Sequence, residues 1–282
     1  MVTELSIKTE KRSNIHQGLM QSLLRTVERF LDMRKYVGFE VALKLRLNEP
    51  GKPINVFVNE IGRYMTLRAG SSDVHILREI LGSSNYVIPE SVLVEYRGKR
   101  VGVIDLGANI GISSIVLTRQ LLRNNIEHSV IAVEPFHRNV EVLKRNLIGH
   151  RFTIVEGAVD HTNSEVGLCI PSNPLRESSL IRTGSGITEN RVRAFSITDI
   201  VSRFPYEVPL FLKIDIEGAE ELLFKDPKIK DVLQRCAIVF IEDHTGALSG
   251  LPSRYFDAIN QTLKDSGLKQ NTTNMRDRVY VR

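Results

Sequence analysis

Apolar runs of strand length alternate with helically spaced apolar residues through the middle of the chain. Val101, Val103 and Ile104 form a β-branched run ending at Asp105, and from Ile110 to about Leu122 apolar residues recur at helical intervals. A second short run, Ser129 to Val133, leads into the helical pattern HRNVEVLKRNLIG, and FTIVEGAV, PLFLKID and AIVFIED supply three more strand-length runs. Strands that read apolar on both faces, with helices between them, predict a parallel doubly wound sheet and an α/β fold. Toward the C-terminus a helix is expected from about Ser253 to Ser266, followed by the strand-like segments LKQNTTNM and DRVYVR.

Ahead of this core the pattern changes. Between residues 15 and 36, Ile15, Leu19, Leu23, Val27, Phe30 and Leu31 fall near one helical face, with Arg25, Arg29, Arg34 and Lys35 around it. This amphipathic helix is expected to pack on the domain or on a second copy of the chain, with a membrane surface as the alternative. VALKLRL, INVFVN and RYMTLRA, separated by turns at Asn48–Gly51 and Glu60–Gly62, read as short strands of a β extension. Ser71 or Ser72 caps a short helix from about Asp73 to Leu81, and Asn85, Tyr86 and Pro89 lead toward the first core strand. The expected division is a helical and β extension over 1–97 and a core over 98–282. Within the core, residues 160–208 form a long excursion whose stretch Pro171 to Thr188 reads as a loop of lid or substrate-contact type.

The turn after the first core strand carries the chemistry. Gly107 and Gly111 let the chain turn tightly, and the helix that follows aims its free N–H groups at an anionic or carboxylate-bearing ligand. A dinucleotide site wants G-x-G-x-x-G, and this turn lacks the middle glycine that admits a pyrophosphate. Glu134, ending the second strand, falls where a Rossmann-like fold puts a carboxylate that accepts both ribose hydroxyls. The two signals together suggest an adenosine ligand without phosphates.

DLGANIG followed by AVEP resembles the cofactor turn and second-strand acid of class I S-adenosylmethionine-dependent methyltransferases. LFLKIDIEGAE at 210–220 resembles the signature of the FkbM methyltransferase family, and IVFIEDH at 238–244 its next strand. The resemblance runs over roughly residues 60–245 and includes LRAGSSDVHILREIL at 67–81. It implies a Rossmann-like seven-stranded methyltransferase sheet, closed by the C-terminal pair of strands as an antiparallel hairpin. It further implies S-adenosyl-L-methionine as cofactor, held by Asp105, Gly107, Ala108, Asn109, Gly111, Glu134, Phe136, Gly157, Ala158 and Asp215, with Asp160 a lesser contact. The expected acceptor is a hydroxyl of a small molecule or glycan, a sugar or saccharide before a polyketide. A nucleic-acid or protein methyltransferase, or a non-catalytic adenosyl-binding module, would share the same cofactor site.

Methyl transfer from an activated donor asks the protein to align the acceptor and to take a proton from an attacking hydroxyl. Lys213, Asp215 and Glu217 on the fourth strand and Glu242, Asp243 and His244 on the fifth reach one edge of the expected sheet, where open α/β folds bind ligands. Asp215, His244, Glu217 and Lys213 are therefore the catalytic candidates. His244 is a candidate general base, its ordinary pKa lying near working pH, with a structural histidine at a strand end as the alternative. Glu217 has a second role open to it, capping the next helix. Carboxylates at 215, 217 and 242 can gather a hard cation to polarise the hydroxyl, but nothing in their spacing demands one and no metal site is assigned.

Composition narrows the setting. A chain of 282 residues with 42% hydrophobic and 25% charged residues buries a sizeable core. Two cysteines, Cys169 and Cys236, lie outside any zinc or disulfide pattern and are expected as buried thiols. The first fourteen residues lack the apolar core of a signal peptide, no run reaches membrane-spanning length, and a cytoplasmic protein is expected. The net charge of +5 invites nucleic acid, but the basic residues are scattered, aromatic content is 6% and no binding module is recognisable. A small-molecule or glycan acceptor is expected, no nucleic acid, and self-association, if any, through the N-terminal helix.

Overall fold

The computed structural model describes residues 34–282 apart from 84, 150, 170–179, 183–190, 245–253 and 274–276. Two compact units divide at Gly70 and Ser71. The first contains helix α1 (Phe39–Leu47) and an antiparallel hairpin of β1 (Pro53–Val58) and β2 (Arg63–Arg68). Here the expected strand VALKLRL is a helix. Alternating Val41, Leu43, Leu45 and Leu47 mimic a period of two, yet the buried residues are Ala42 and Leu45, three apart, while Leu43 and Leu47 stay exposed. Glu40 and Lys44, one turn apart, pair at 2.7 Å. Of the amphipathic helix expected over 15–36, residues 34–36 are helical and the rest lies outside the described residues.

The second unit opens with α2 (Asp73–Gly82) and α3 (Glu90–Tyr96). Ser72 stands at the N-cap of α2 without a side-chain cap bond, and the neighbouring Ser71 Oγ accepts the Asp73 N–H at 3.1 Å. Helix α3 stands where only a lead-in was expected; Pro89 precedes its first turn, and Val92 and Leu93 supply the buried face. Then follow β3 (Arg100–Leu106), α4 (Ile112–Arg123), β4 (Glu127–Glu134), α5 (His137–Asn146) and β5 (Phe152–Glu156). β6 (Ala158–Asp160) leads into the excursion, which contains β7 (Ser164–Cys169), β8 (Leu180–Arg182), β9 (Arg191–Ser196) and α6 (Ile197–Val201). The chain returns through β10 (Leu210–Ile214), α7 (Glu220–Phe224), α8 (Ile229–Gln234) and β11 (Cys236–Glu242), and closes with α9 (Arg254–Asp265), β12 (Lys269–Thr273) and β13 (Asp277–Val281).

The main sheet has seven strands in the order β12-β13-β11-β10-β3-β4-β5. β5, β4, β3, β10 and β11 are parallel, and β13 runs antiparallel to both β11 and β12, the expected closing hairpin. The chain winds outward from β3 to β5 and then crosses back to place β10 on the other side of β3. That reversal is the switch point at which open α/β sheets bind ligands beyond the carboxyl ends of their strands. Ile104, Leu106, Leu212, Ile214 and Val239, on the central strands, are fully buried. Side chains of this kind stabilise the fold by about 1.5–3 kcal/mol each and give the strand ends a rigid base.

The described part of the long excursion is built on a sheet of its own. β6, β9, β7 and β8 form a separate four-stranded sheet, and Gly167–Cys169 pair antiparallel with Leu180–Arg182. The stretch Pro171 to Thr188, expected as a loop, thus contains a strand at 180–182; its other residues lie outside the described ones. Cys236 is buried, with burial pushing its thiol up to about 12, and acts as a packing residue. Among the described residues, no helix is long and apolar enough to cross a membrane.

Candidate functional site

The turn between β3 and α4 is tied down from three directions. Gly107 and Ala108 both donate N–H bonds to Val133 O, at 3.0 and 2.9 Å, stitching the turn to the end of β4. Asn146 on α5 donates to Ile110 O at 2.8 Å. From beneath, Asp105 accepts from the hydroxyls of Ser113 and Ser114, at 2.7 and 2.6 Å, in the first turn of α4. Asp105 is fully buried, so its carboxylate orients the turn from below and is not presented at the strand end. Ser113 and Ser114, read in the sequence only as part of a generic helix, belong to this support.

Gly107 has φ +78°, and a Cβ there would stand 1.8 Å from the backbone oxygen of Asp215. The turn therefore presses on the end of β10, an approach that only glycine permits. At Gly111, φ +89°, a Cβ would meet Leu143 at 2.7 Å. Asn109 between them adopts φ +49°, and its side-chain oxygen is buried with no hydrogen-bond partner. An orphaned acceptor beside a glycine turn is a feature a bound ligand would satisfy.

Glu134 closes this half of the site. Its Oε2 accepts the Asn109 N–H at 2.9 Å; its Oε1 accepts the Phe136 N–H at 3.0 Å and the Asn139 side-chain amide at 3.1 Å. Burial pushes its pKa up to about 7, against the pull of those three donors and the charge of Lys213. Three donors occupy three of the roughly four acceptor positions of the carboxylate, so Oε2 keeps one for a ligand hydroxyl. Asn139 went unnoticed in the sequence; its signal is its place in the first turn of α5, five residues after Glu134. Phe136 and Ala158 are buried, and Gly157 packs where a Cβ would strike Arg193 O at 2.5 Å and the Phe195 ring at 2.6 Å. Asp160 is turned to its own neighbours, accepting from the His161 N–H at 2.7 Å and from Ser164 Oγ at 3.3 Å.

The other half gathers around Asp215 at the end of β10. Lys213 is buried, its ammonium 3.0 Å from Asp105 and 3.4 Å from Asp215, and it donates to Gly107 O at 2.7 Å and Leu106 O at 3.2 Å. Burial would lower its pKa, but Asp105 and Asp215 raise it above the ordinary lysine value. Lys213 is thus sealed beneath the turn instead of open at the strand end, and it positions Asp215. Tyr86 reaches the same carboxylate, its hydroxyl donating to Asp215 at 3.4 Å. Gln120 holds the Tyr86 segment with both ends of its amide, donating to Tyr86 O and accepting from the Ile88 N–H, each at 2.9 Å. Neither contact was legible in the sequence, where Tyr86 stood only in a lead-in.

His244 collects four carboxylates. Its Nδ1 is 3.1 Å from Glu220, and its Nε2 is 3.6 Å from Asp215, 3.6 Å from Glu217 and 3.8 Å from Glu242. Burial lowers the imidazole's pKa, but the Glu220 hydrogen bond and charge, with Glu242 and Asp215, push it up to about 10. The imidazole is therefore charged at neutral pH. That removes the ground for expecting His244 as a general base in the free protein, because the argument rested on an unperturbed pKa. Asp215, Glu217 and His244 bring a donor atom each to within 4.8 Å of one another, and the cation these carboxylates share here is the imidazolium itself. Glu217 has φ +53°, and burial, then the charge of Asp215, raises its pKa. It does not cap the following helix: Glu220, at the first position of α7, accepts the Ile216 N–H at 3.0 Å. Asp243, expected beside Glu242 and His244, is committed to Arg278.

A seven-stranded sheet of this order, with a glycine turn, an acid ending the second strand and a polar cluster across the switch point, is that of a Rossmann-like methyltransferase. The sequence profile of the methyltransferase FkbM domain matches residues 105–269, more than half of the chain, and the chain belongs to that family. No curated protein sequence matches it. Among solved structures it is similar to methyltransferase FkbM from Methylobacillus flagellatus KT at 16% identity and TM-score 0.41, over 74% of this chain and 53% of that one. The chain thus spans about half the length of that protein. A putative caffeoyl-CoA O-methyltransferase from Staphylococcus aureus matches at 13% identity and TM-score 0.40, covering 74% of this chain and 91% of that one. A putative RNA methyltransferase from Pyrococcus horikoshii matches at 16% and 0.36, over 86% and 95%.

Proposed function

We propose that this methyltransferase uses S-adenosyl-L-methionine and methylates a hydroxyl of a small molecule or glycan, a sugar or saccharide before a polyketide. The observation that carries the cofactor reading is Glu134, a buried carboxylate fixed by three N–H donors with one acceptor position left on Oε2 for a ribose hydroxyl, at the end of the strand beside the glycine turn. Gly107, Ala108, Asn109 and Gly111 would hold the rest of the adenosyl ligand, the orphaned Asn109 oxygen gaining a donor there. Phe136, Gly157 and Ala158 line the base side in this reading. When bound, S-adenosylmethionine supplies a methyl group already activated on sulfur.

The remaining work falls to the chain. A hydroxyl becomes a competent nucleophile as its proton leaves, and Asp215 and Glu217 are the carboxylates placed to take it. Of the two, Glu217 is the more open to an acceptor, its side chain 43% exposed against 23% for Asp215, and burial raises its proton affinity. His244 stands over both as a cation, and Lys213 and Tyr86 fix the direction of Asp215. The sugar preference follows the family resemblance of LRAGSSD.

The test is methyl transfer from labelled S-adenosylmethionine to a panel of free sugars, nucleotide sugars, oligosaccharides, polyketide alcohols, RNA and protein. Label on a sugar hydroxyl is the expected result. Label on RNA or protein, or binding of S-adenosylhomocysteine without transfer to any acceptor, overturns it.

A further inference from the structure

We propose that Glu220 is a positioning residue of this site, acting through His244: its carboxylate fixes the imidazole's orientation, so that Asp215, Glu217 and Glu242 converge on one ring. The proposal rests on the methyl-transfer reading for its role in turnover, and on geometry for the rest.

Four carboxylates face this imidazole, and they do not do the same work. Asp215 and Glu217 approach from the segment after β10 and Glu242 from the end of β11, all at Nε2 and all at 3.6–3.8 Å, beyond hydrogen-bonding distance. Glu220 alone among the described residues stands at hydrogen-bond distance, 3.1 Å from Nδ1. It is also the one carboxylate of the four that is nearly sealed, at 6% side-chain exposure, whereas Asp215 and Glu217 are 23% and 43% exposed. A charge so buried is held in place by its partners, and the partner found is the Ile216 N–H, donating to the same Oε1 at 3.0 Å.

The carboxylate is thereby fixed to the backbone four residues upstream, and the ring is fixed to the carboxylate. With Nδ1 spent on Glu220, Nε2 is the nitrogen turned toward the exposed side of the cluster. The imidazolium then gathers three carboxylates that would otherwise repel one another across the acceptor's approach. Losing the Glu220 charge should release the ring's proton at lower pH and let Asp215, Glu217 and Glu242 spread apart.

Glu220→Gln is the variant that separates charge from shape, because its side-chain oxygen still accepts the Ile216 N–H. The first measurement is nitrogen NMR of the histidine rings, with the His244 signal identified by its loss in His244→Asn. In the wild type, His244 should stay doubly protonated well above neutral pH, and in Glu220→Gln its titration should move down by at least one pH unit. Glu242→Gln, removing a carboxylate outside hydrogen-bonding distance, should move it less. The second measurement is the pH profile of methyl transfer: the fall of kcat on the alkaline side should shift down with the His244 titration in Glu220→Gln, while affinity for S-adenosylhomocysteine stays within twofold.

An unmoved His244 titration overturns the proposal, as does an equal shift in Glu242→Gln. If Glu220→Gln does not fold, Glu220→Asp serves, with a shorter arm that keeps the charge but cannot span Ile216 and His244; an unshifted titration there also overturns the proposal. Failure of the underlying reading looks different: the titration moves as expected, but no acceptor hydroxyl is methylated by the wild type.

Discussion

Lys213 and Asp105 are direct register partners in the neighbouring parallel strands β10 and β3, and their side chains meet 3.0 Å apart with 1% and 0% of their surface exposed. An ion pair in that position costs desolvation, and it is retained where it fixes geometry. Here it links the support of the glycine turn, through Asp105 with Ser113 and Ser114, to the polar cluster, through Asp215.

Removing the lysine leaves a buried aspartate without its cation. Lys213→Met should lower unfolding free energy by about 3–5 kcal/mol, read from urea denaturation. Lys213→Met combined with Asp105→Asn should cost less than the two single changes added together, because each single change strands the other partner. Additive losses would show that the two residues act separately.

On the proposed cofactor reading, Glu134 should make affinity depend on pH in a direction fixed by its shift. Its carboxyl titrates at about 7 in the free protein, above the ordinary value of 4.5, and hydroxyl donors bind the ionised form. Affinity for S-adenosylhomocysteine should therefore be level above pH 8 and fall by about tenfold between pH 8 and pH 6, as the carboxyl protonates. Glu134→Ala should weaken binding by roughly 1–3 kcal/mol and flatten that dependence. Calorimetry at three pH values checks both, and a pH-independent wild-type affinity would remove Glu134 from the binding site.

Gly107→Ala tests whether the turn's contact with β10 is required. The new methyl carbon would enter a space already held by the Asp215 backbone oxygen, at 1.8 Å, in a left-handed conformation. The conformation alone costs roughly 1–2 kcal/mol, and backbone movement adds to it. The variant should lose S-adenosylhomocysteine binding and melt at lower temperature than Gly98→Ala, where φ is +73° but no atom lies within 4 Å. Equal melting temperatures would mean that the turn does not need its close approach.

Local patterns carried the core and failed where distance in sequence mattered. Val101 to Asp105 and Ser129 to Glu134 announce buried strands ending in acids because apolar continuity and the terminal acid lie within a few residues of each other. VALKLRL misled because its leucines alternate, and alternation cannot tell a half-exposed helix from a strand when only two of its residues are buried. Lys213 looked like a strand-end catalyst, since nothing local shows that its ammonium turns inward to a residue 108 positions earlier. His244 looked like a base for the same reason: the carboxylates that charge it come from the segment after β10, from α7 and from β11, and only the fold brings them together.

That convergence makes His244 a source of stability with a definite pH signature. Its folded pKa of about 10 lies above the ordinary 6.5, so folding favours the protonated ring. The stabilisation is fully present below pH 6.5 and is lost as pH rises through about 10. Glu134 contributes a slope of its own below pH 7, because its raised carboxyl makes ionisation unfavourable to folding, and a comparison with a variant cancels that contribution. His244→Asn, which cannot carry charge, should therefore be less stable than the wild type at pH 6.5, with the gap narrowing steadily toward pH 10. Urea midpoints at pH 6.5, 8 and 9.5 measure the gap, and curves that run parallel across the range would show that the carboxylates do not hold the ring charged.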